Sequence, residues 1–295
     1  MTKTKMENNH FLCDFERSEF HKLLISSRVL SINSKNIASN ADKSQKFSIE
    51  IAGDVARKLG VYPNQEKLQG QTAGKLFEDA VSKFIESTFP NLSMLRPGTW
   101  IIENVGSSRK EYHISQYSPY KHLKDLSKAI TKSPNLRAAL GNGYDISPDV
   151  LVLRNPESDD FINQTNNIVS SSVAQQTPIR LENNRDSIVH AVISCKWTLR
   201  SDRAQNARSE ALNIIRNRKG RTPHIVVVTG EPTPSRLASL ALGTGDIDTI
   251  YHFALYELIS AINNSGNSEA QNILETLISG ERLRDISDLP FDMAI

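Results

Sequence analysis

The chain reads as an α/β protein, and two observations carry that reading. Three short runs rich in β-branched residues, 148–154 (PDVLVLR), 191–197 (AVISCKW) and 224–229 (HIVVVT), have strand character. A helical pattern fills the gap between the second and the third, with Ala204, Ala207, Ala211 and Ile214/Ile215 at i, i+3/i+4 spacing from Arg203 to about Arg218. The near-continuous apolar character of the runs suits central strands covered on both faces. Strand, helix, strand in that order implies a parallel crossover.

The other elements follow from the same periodicities. Residues 70–89 (GQTAGKLFEDAVSKFIESTF) place Leu76, Phe77, Ala80, Val81, Phe84 and Ile85 on one face of a helix. Further helices are predicted at about 119–131, 134–140, 234–242, 251–263 and 268–279. Ser201 or Asp202 can cap the helix that begins near Arg203, and Gly220 follows its end. Residues 157–187 are rich in Asn, Gln and Ser without a sustained period, so they read as a surface excursion between the first two strands. The 295 residues give a prior of roughly two domains at about 150 residues each. With no internal repeat and no clear linker, one elaborated domain spanning 1–295 is the preferred division.

Composition excludes several classes. Gly and Pro together make 26 of 295 residues, which rules out collagen-like and low-complexity chains. No run approaches the roughly 18 apolar residues of a membrane span. The opening MTKTKMENNHFLC has neither an apolar core nor a small-residue cleavage site, so a secretory leader is not expected. Two cysteines, Cys13 and Cys195, cannot make a disulfide framework or a four-ligand zinc site, which points to a soluble protein of a reducing compartment. The formal charge is +2, but residues 196–221 hold eight Lys/Arg against Asp202 and Glu210. A mildly acidic body with one strongly basic segment suggests a polyanion met at one place. The alternative is a solvated helix face laced with ion pairs, for which two acids are few.

Candidate chemistry lies at the strand ends. Asp149 opens the first run. Ser194 and Lys196 are two apart on the second and share a sheet face, with Cys195 pointing the other way. A carboxylate beside a lysine is what metal-assisted phosphodiester hydrolysis needs: the acid holds a hard divalent cation and the ammonium stabilises phosphate charge. One carboxylate is too few, and Glu210, fourteen positions after Lys196, and Glu78, flanking the apolar stripe of its helix, are the further acids. Singly, each has a plain structural reading: a turn aspartate, a snorkelling lysine, a helix ion pair of Glu210 with Arg203 or Arg208. Together, beside the basic segment, they point to a site. Arg200, Asp202 and Arg203 stand at the entry to the helix, where arginine can read guanine and aspartate can accept from cytosine; a capping turn with phosphate-binding arginines is the equal alternative. Gly243-Thr244-Gly245-Asp246 is no dinucleotide fingerprint, no P-loop is present, and His190 and His224 read as structural.

The strings SCKWTLRSDRAQNARSE, NRKGRTPHIVVVTGEPTPSR, ALGTGDID and YHFALYEL resemble the NgoMIV group of type II restriction endonucleases, which recognise sites with a central CCGG. The likeness runs from about residue 15 to Ile295 and is weakest at the N-terminal segment of about 1–14 and in the polar excursion. It implies a PD-(D/E)xK nuclease fold: a central mixed β-sheet flanked by helices. Ser194 departs from the general pattern by standing where a second acid is usual; the group supplies that acid from the helix, here Glu210. By resemblance, Asp149, Ser194, Lys196, Glu210 and Glu78 are catalytic. Two Mg²⁺ would be held by Asp149, Glu78, Glu210 and the Cys195 main-chain carbonyl. Arg200, Asp202 and Arg203 would read CCGG, Asp42 and Arg236 the outer pair, and Gln71 the minor groove.

The expected activity is Mg²⁺-dependent cutting of both strands of duplex DNA at G^CCGGC, leaving a 5′ CCGG overhang, in the cytoplasm of a prokaryote. One site per chain requires at least a two-fold dimer on a palindrome, and the resemblance implies a tetramer. A cognate DNA methyltransferase would be the genetic partner. The rivals are a repair or junction nuclease on the same core and a non-cleaving sequence-specific DNA-binding protein.

Overall fold

The computed structural model describes residues 11–63, 68, 70–105, 113–140, 146, 148–199, 201–243 and 245–295. Arg200 and the side chains of Ser201, Asp202 and Arg203 lie outside that description. The strands are β1 (Trp100–Asn104), β2 (Val150–Arg154), β3 (Ile188–Lys196), β4 (His224–Thr229), β5 (Thr249–His252) and β6 (Leu283–Asp285). The helices are α1 (Leu12–Ser26), α2 (Lys46–Lys58), α3 (Gly70–Thr88), α4 (His122–Lys132), α5 (Pro134–Leu140), α6 (Asp159–Ile162), α7 (Ser201–Asn217), α8 (Pro234–Ala241), α9 (Leu255–Ser265), α10 (Ser268–Ser279) and α11 (Leu289–Asp292).

The strands form one sheet in the order β1-β2-β3-β4-β5-β6. β1, β2 and β3 pair antiparallel, and β3 through β6 pair parallel, so the sheet is mixed as expected. The crossover through α7 is the predicted parallel one, joining Ala191–Lys196 in register with His224–Thr229. β2, β3 and β4 are buried along nearly their whole length, which is why they alone carried a clear sequence signal. Pro148 and Asp149 precede β2 rather than belonging to it, and β3 starts three residues earlier than the apolar run. The predicted helix at 251–263 is corrected: β5 ends at His252 and α9 begins only at Leu255. A chain that has just left a parallel strand needs a turn before its helix, and the apolar run concealed that break.

Two helices cover the sheet where the candidate residues lie. α3 buries Phe77, Ala80, Val81, Phe84 and Ile85 of the expected stripe, with Leu76 only half-buried at its margin. α7 buries Ala204, Ala207, Ala211 and Ile214, and Gly220 beyond its end takes φ +120°, a conformation open to glycine. Along β3, Cys195 and then Trp197 face α3, with the Trp197 ring 5.0 Å from that of Phe77. Ser194 faces α7 instead. The polar excursion is drawn together by Arg180, which is 3% exposed, pairs with Asp159, and donates to the Ser170, Val173 and Ala174 carbonyls. No helix among the described residues is long and apolar enough to cross a membrane.

The expectation of a single basic face is revised. α7 is 17 residues long, about 25 Å at 1.5 Å per residue, and it separates the two ends of the segment. Lys196 lies at the C-terminal end of β3, whereas Lys219 and Arg221 join Arg96 and Arg154 at the opposite end of the strand. Arg208 is used within the fold, donating to the Ser239, Leu240 and Leu242 carbonyls at the end of α8.

His190 is the extra residue of a bulge in β3, skipped between the Val152–Ala191 and Leu153–Val189 pairs. Its ring stacks 5.8 Å from Phe89, and its Nε2 donates to the Met293 carbonyl at 2.8 Å. Burial, aided by the charges of Arg96 and Arg221, lowers its pKa to about 4 despite that hydrogen bond. The folded protein therefore keeps His190 neutral while the unfolded chain takes up a proton below about pH 6.5. Its contribution to stability is complete above that pH and declines as pH falls toward 4, by about 3 kcal/mol. Urea unfolding at stepped pH should show this decline, and His190→Gln should flatten it by that amount.

Candidate active site

The site forms where β2 begins and β3 ends, because antiparallel pairing places those two points side by side. Asp149, one residue ahead of β2, turns its carboxylate onto the exit of β3. Its Oδ2 accepts from the Cys195 backbone N–H at 2.7 Å and from the Lys196 ammonium at 3.0 Å, with the Ser194 hydroxyl 3.5 Å away. The carboxylate thus replaces a strand partner for an N–H that would otherwise be orphaned, and gathers the next side chain along the strand.

α7 brings the second acid. Glu210 Oε2 stands 3.9 Å from Lys196 Nζ, so the ammonium lies between two carboxylates. Burial works against the charge on Lys196, but Asp149 and then Glu210 outweigh it and its pKa stands above the usual lysine value. Lys196 is a fixed cation here. Cys195 is the opposite case: burial first, then the charges of Asp149 and Glu78, push its thiol well up. It stays protonated, so only its main chain is available for chemistry.

α3 supplies the rest from the other face of the sheet. Glu78 and Gln71 join Asp149, Cys195, Lys196 and Glu210 around a cleft of about 310 Å³. Helices on opposite faces can contribute to one site because the cleft opens at the sheet edge, beyond the last residues of β3. Three carboxylates against one ammonium leave a negative surplus of hard oxygen donors, which suits a hard divalent cation. No three acidic, His or Cys side chains among the described residues are grouped as a ready-made metal cage; Asp149 and Glu210 share the Lys196 ammonium instead.

Among the expected base-reading residues, Arg200 and the side chains of Asp202 and Arg203 lie outside the described residues, though Asp202 and Arg203 fall in the first turn of α7. Asp42 and Arg236, 194 positions apart, form an ion pair. Ser44, through its hydroxyl and its N–H, and then Arg236 hold the Asp42 carboxyl well below the usual range. Arg236 Nη1 also lies 3.8 Å from the buried Glu231 carboxylate. Thr198, Asn206 and Ser39 line the same cleft and were not singled out from sequence. For Asn206 the signal was available: it precedes Glu210 by four positions, so the helix places both on one side.

Comparison with known proteins bears on this geometry. The sequence profile of the NgoMIV restriction enzyme matches residues 20–295. The type II restriction enzyme NgoMIV of Neisseria gonorrhoeae is 48% identical over 280 residues, covering 95% of this chain and 98% of its own length. A solved structure described as a restriction endonuclease PspGI-substrate DNA complex aligns with 98% of this chain and 94% of its own, at 12% identity and a TM-score of 0.27, which is too distant to carry an argument.

The exit of β3 is held from behind by Gly230, whose carbonyl accepts from Asn40 Nδ2 at 2.7 Å. A Cβ there would stand 2.5 Å from the Trp197 ring and 2.9 Å from the Trp197 carbonyl. Gly230→Ala should therefore displace the segment after Lys196 and cost about 1–3 kcal/mol through overpacking, read as a lower denaturant midpoint, with nuclease activity falling further than stability.

Proposed function

This chain belongs to the NgoMIV restriction-enzyme family and is a type II restriction endonuclease; on that premise we propose that it cuts both strands of duplex DNA at GCCGGC. Cleavage after the first G would leave a 5′ CCGG overhang. The arrangement of Glu78, Asp149, Lys196 and Glu210 around one cleft is what most strongly supports metal-assisted strand cleavage, while the site sequence and the overhang rest on the family resemblance. Asp149, Glu78, Glu210 and the Cys195 carbonyl would hold two Mg²⁺, which supply a more acidic water and relieve charge on the leaving 3′ oxygen.

The remaining chemistry is the chain's own. Lys196, charged and held by Asp149, would present its ammonium to a non-bridging oxygen of the scissile phosphate, where charge builds in the transition state. Ser194, on the same strand face as Lys196, would stand beside Asp149 and help orient it. The Cys195 N–H fixes the Asp149 carboxylate before substrate arrives, so little reorganisation is needed on binding. Arg200, Asp202 and Arg203 would read the central CCGG, Asp42 and Arg236 the outer G·C pair, and Gln71 the minor groove.

A palindrome cut on both strands needs two such sites, hence at least a homodimer; a tetramer is the assembly we favour. The enzyme would work in the cytoplasm beside a cognate DNA methyltransferase. Digestion of a plasmid of known sequence with Mg²⁺, followed by mapping of the ends, tests the site and the overhang together; cuts scattered without a common CCGG would reject the specificity. Asp149→Asn should reduce cutting by at least about a hundredfold while binding to GCCGGC, measured in Ca²⁺, persists. Cutting within about tenfold of the parent enzyme would remove Asp149 from the catalytic set.

A further inference from the structure

Glu231 is a carboxylate with no part in the chemistry above, yet it is buried completely, with its side chain 1% exposed. It sits in the turn between β4 and α8. Its Oε2 accepts from the Leu199 backbone N–H at 2.9 Å, and Leu199 immediately precedes Arg200. Its Oε1 accepts from the Thr233 N–H at 3.2 Å and from the Thr233 hydroxyl, at the start of α8. Arg236, on the first turns of α8, brings Nη1 to 3.8 Å of Oε2 while its other nitrogen pairs with Asp42. The same turn is joined to the catalytic strand: the Thr229 hydroxyl donates to the Lys196 carbonyl at 2.7 Å and accepts from the Glu231 N–H at 3.2 Å.

A buried carboxylate is costly unless its oxygens are filled. Burial raises the Glu231 pKa, with the bonds from Thr233 and Leu199 acting against that rise. A hydrophobic residue could fill the same volume with less cost if packing were all that was needed, and a glutamine could accept from only one of the two backbone N–H groups that Glu231 holds. The partners show what a charge adds here: Oε2 fixes the backbone leading into the proposed central reading segment and lies 3.8 Å from the guanidinium proposed to read the outer position, while Oε1 ties down the start of α8.

Resting on the proposed function, we propose that Glu231 is a positioning residue for base recognition, holding Arg236 and the backbone before Arg200 in a fixed relation so that the outer and central base pairs are read in register. It touches neither DNA nor the reacting atoms. It acts through Arg236 and Leu199.

The test is cleavage of a randomised-site library by the parent enzyme, Glu231→Gln, Thr233→Val and Arg236→Ala, with sequencing of the ends and a thermal melt of each protein. Glu231→Gln keeps an acceptor for the Leu199 N–H but turns an uncharged group toward Arg236. It should lower discrimination at the outer pair about tenfold, in the same direction as Arg236→Ala, and leave the CCGG requirement in place. Thr233→Val removes one bond to Glu231 and should shift the outer preference the same way by a smaller factor, which keeps the question open to measurement if Glu231→Gln folds poorly. A Glu231→Gln enzyme that cuts more slowly with the parent's base preferences, or a Thr233→Val enzyme with unchanged preference where Glu231→Gln does not fold, overturns the positioning role. A parent enzyme that selects no site overturns the proposed function and this inference with it; a parent that selects GCCGGC while the variants keep its preferences overturns the inference alone.

Discussion

The rest of the site depends on a single carboxylate that takes the place of a strand. Where β2 has not yet begun, Asp149 accepts the Cys195 N–H that pairing would have satisfied, and the same oxygen receives the Lys196 ammonium. The antiparallel register of β2 on β3 puts Val150 opposite Ile193, so the residue before β2 necessarily falls beside the residues that follow Ile193. The geometry of the candidate site is a continuation of sheet geometry. Register, set by buried apolar residues along both strands, fixes it far more firmly than a loop could.

Charge then decides what the cleft is for. Lys196 buried alone would tend to lose its proton, but Asp149 and Glu210 hold it charged. The two carboxylates are in turn partly neutralised by it, so each can remain near the other without strong repulsion. A phosphate entering this cleft meets a cation whose position is already fixed, and a metal ion entering it meets acids whose negative charge exceeds one ammonium. Helices from both faces are needed for that surplus, since α7 carries Glu210 and α3 carries Glu78. A sheet covered on one face could not have supplied both.

The legible part of the sequence was the part with uniform surroundings. β2, β3 and β4 lie between helices and read as apolar runs; α3, α7 and α10 show clean stripes, and the range expected for α10 is the observed one. The edges were harder. β1 is only half buried, so WIIEN carries little of a buried strand's pattern. β5 and β6 are four and three residues long, too short for a period to emerge, and β5 ran into the apolar start of α9. In the site, strand alternation was enough to place Ser194 and Lys196 together, and helix position nominated Glu210 and Glu78 as further acids, while their roles came from the family resemblance. No local sequence pattern marks Glu231. Its burial and its bond to Leu199 depend on contacts 32 positions apart, which no local pattern encodes.

The pairing of Arg236 with Asp42 also bears on how such an enzyme could discriminate. On the proposed reading, both side chains turn to the outer base pair, arginine to guanine and aspartate to cytosine. In the free protein each already satisfies the other, and Ser44 adds two further bonds to Asp42. Binding must therefore exchange an existing ion pair for contacts to bases. With G·C in place, both partners recover equivalent bonds, and the exchange is close to balanced. With A·T in place, the arginine loses one acceptor and the aspartate loses the cytosine amino group, while the intramolecular pair has already been disturbed. The free-state ion pair weakens binding to either sequence alike, so it lowers affinity without changing the ratio; rejection of the wrong pair comes from the complex, where only G·C repays the exchange. Glu231, fixed in the interior beside the same guanidinium, limits how far Arg236 can move to find a compromise. Specificity at the outer position would thus rest on a side chain held between two acids, only one of which is free to turn toward DNA.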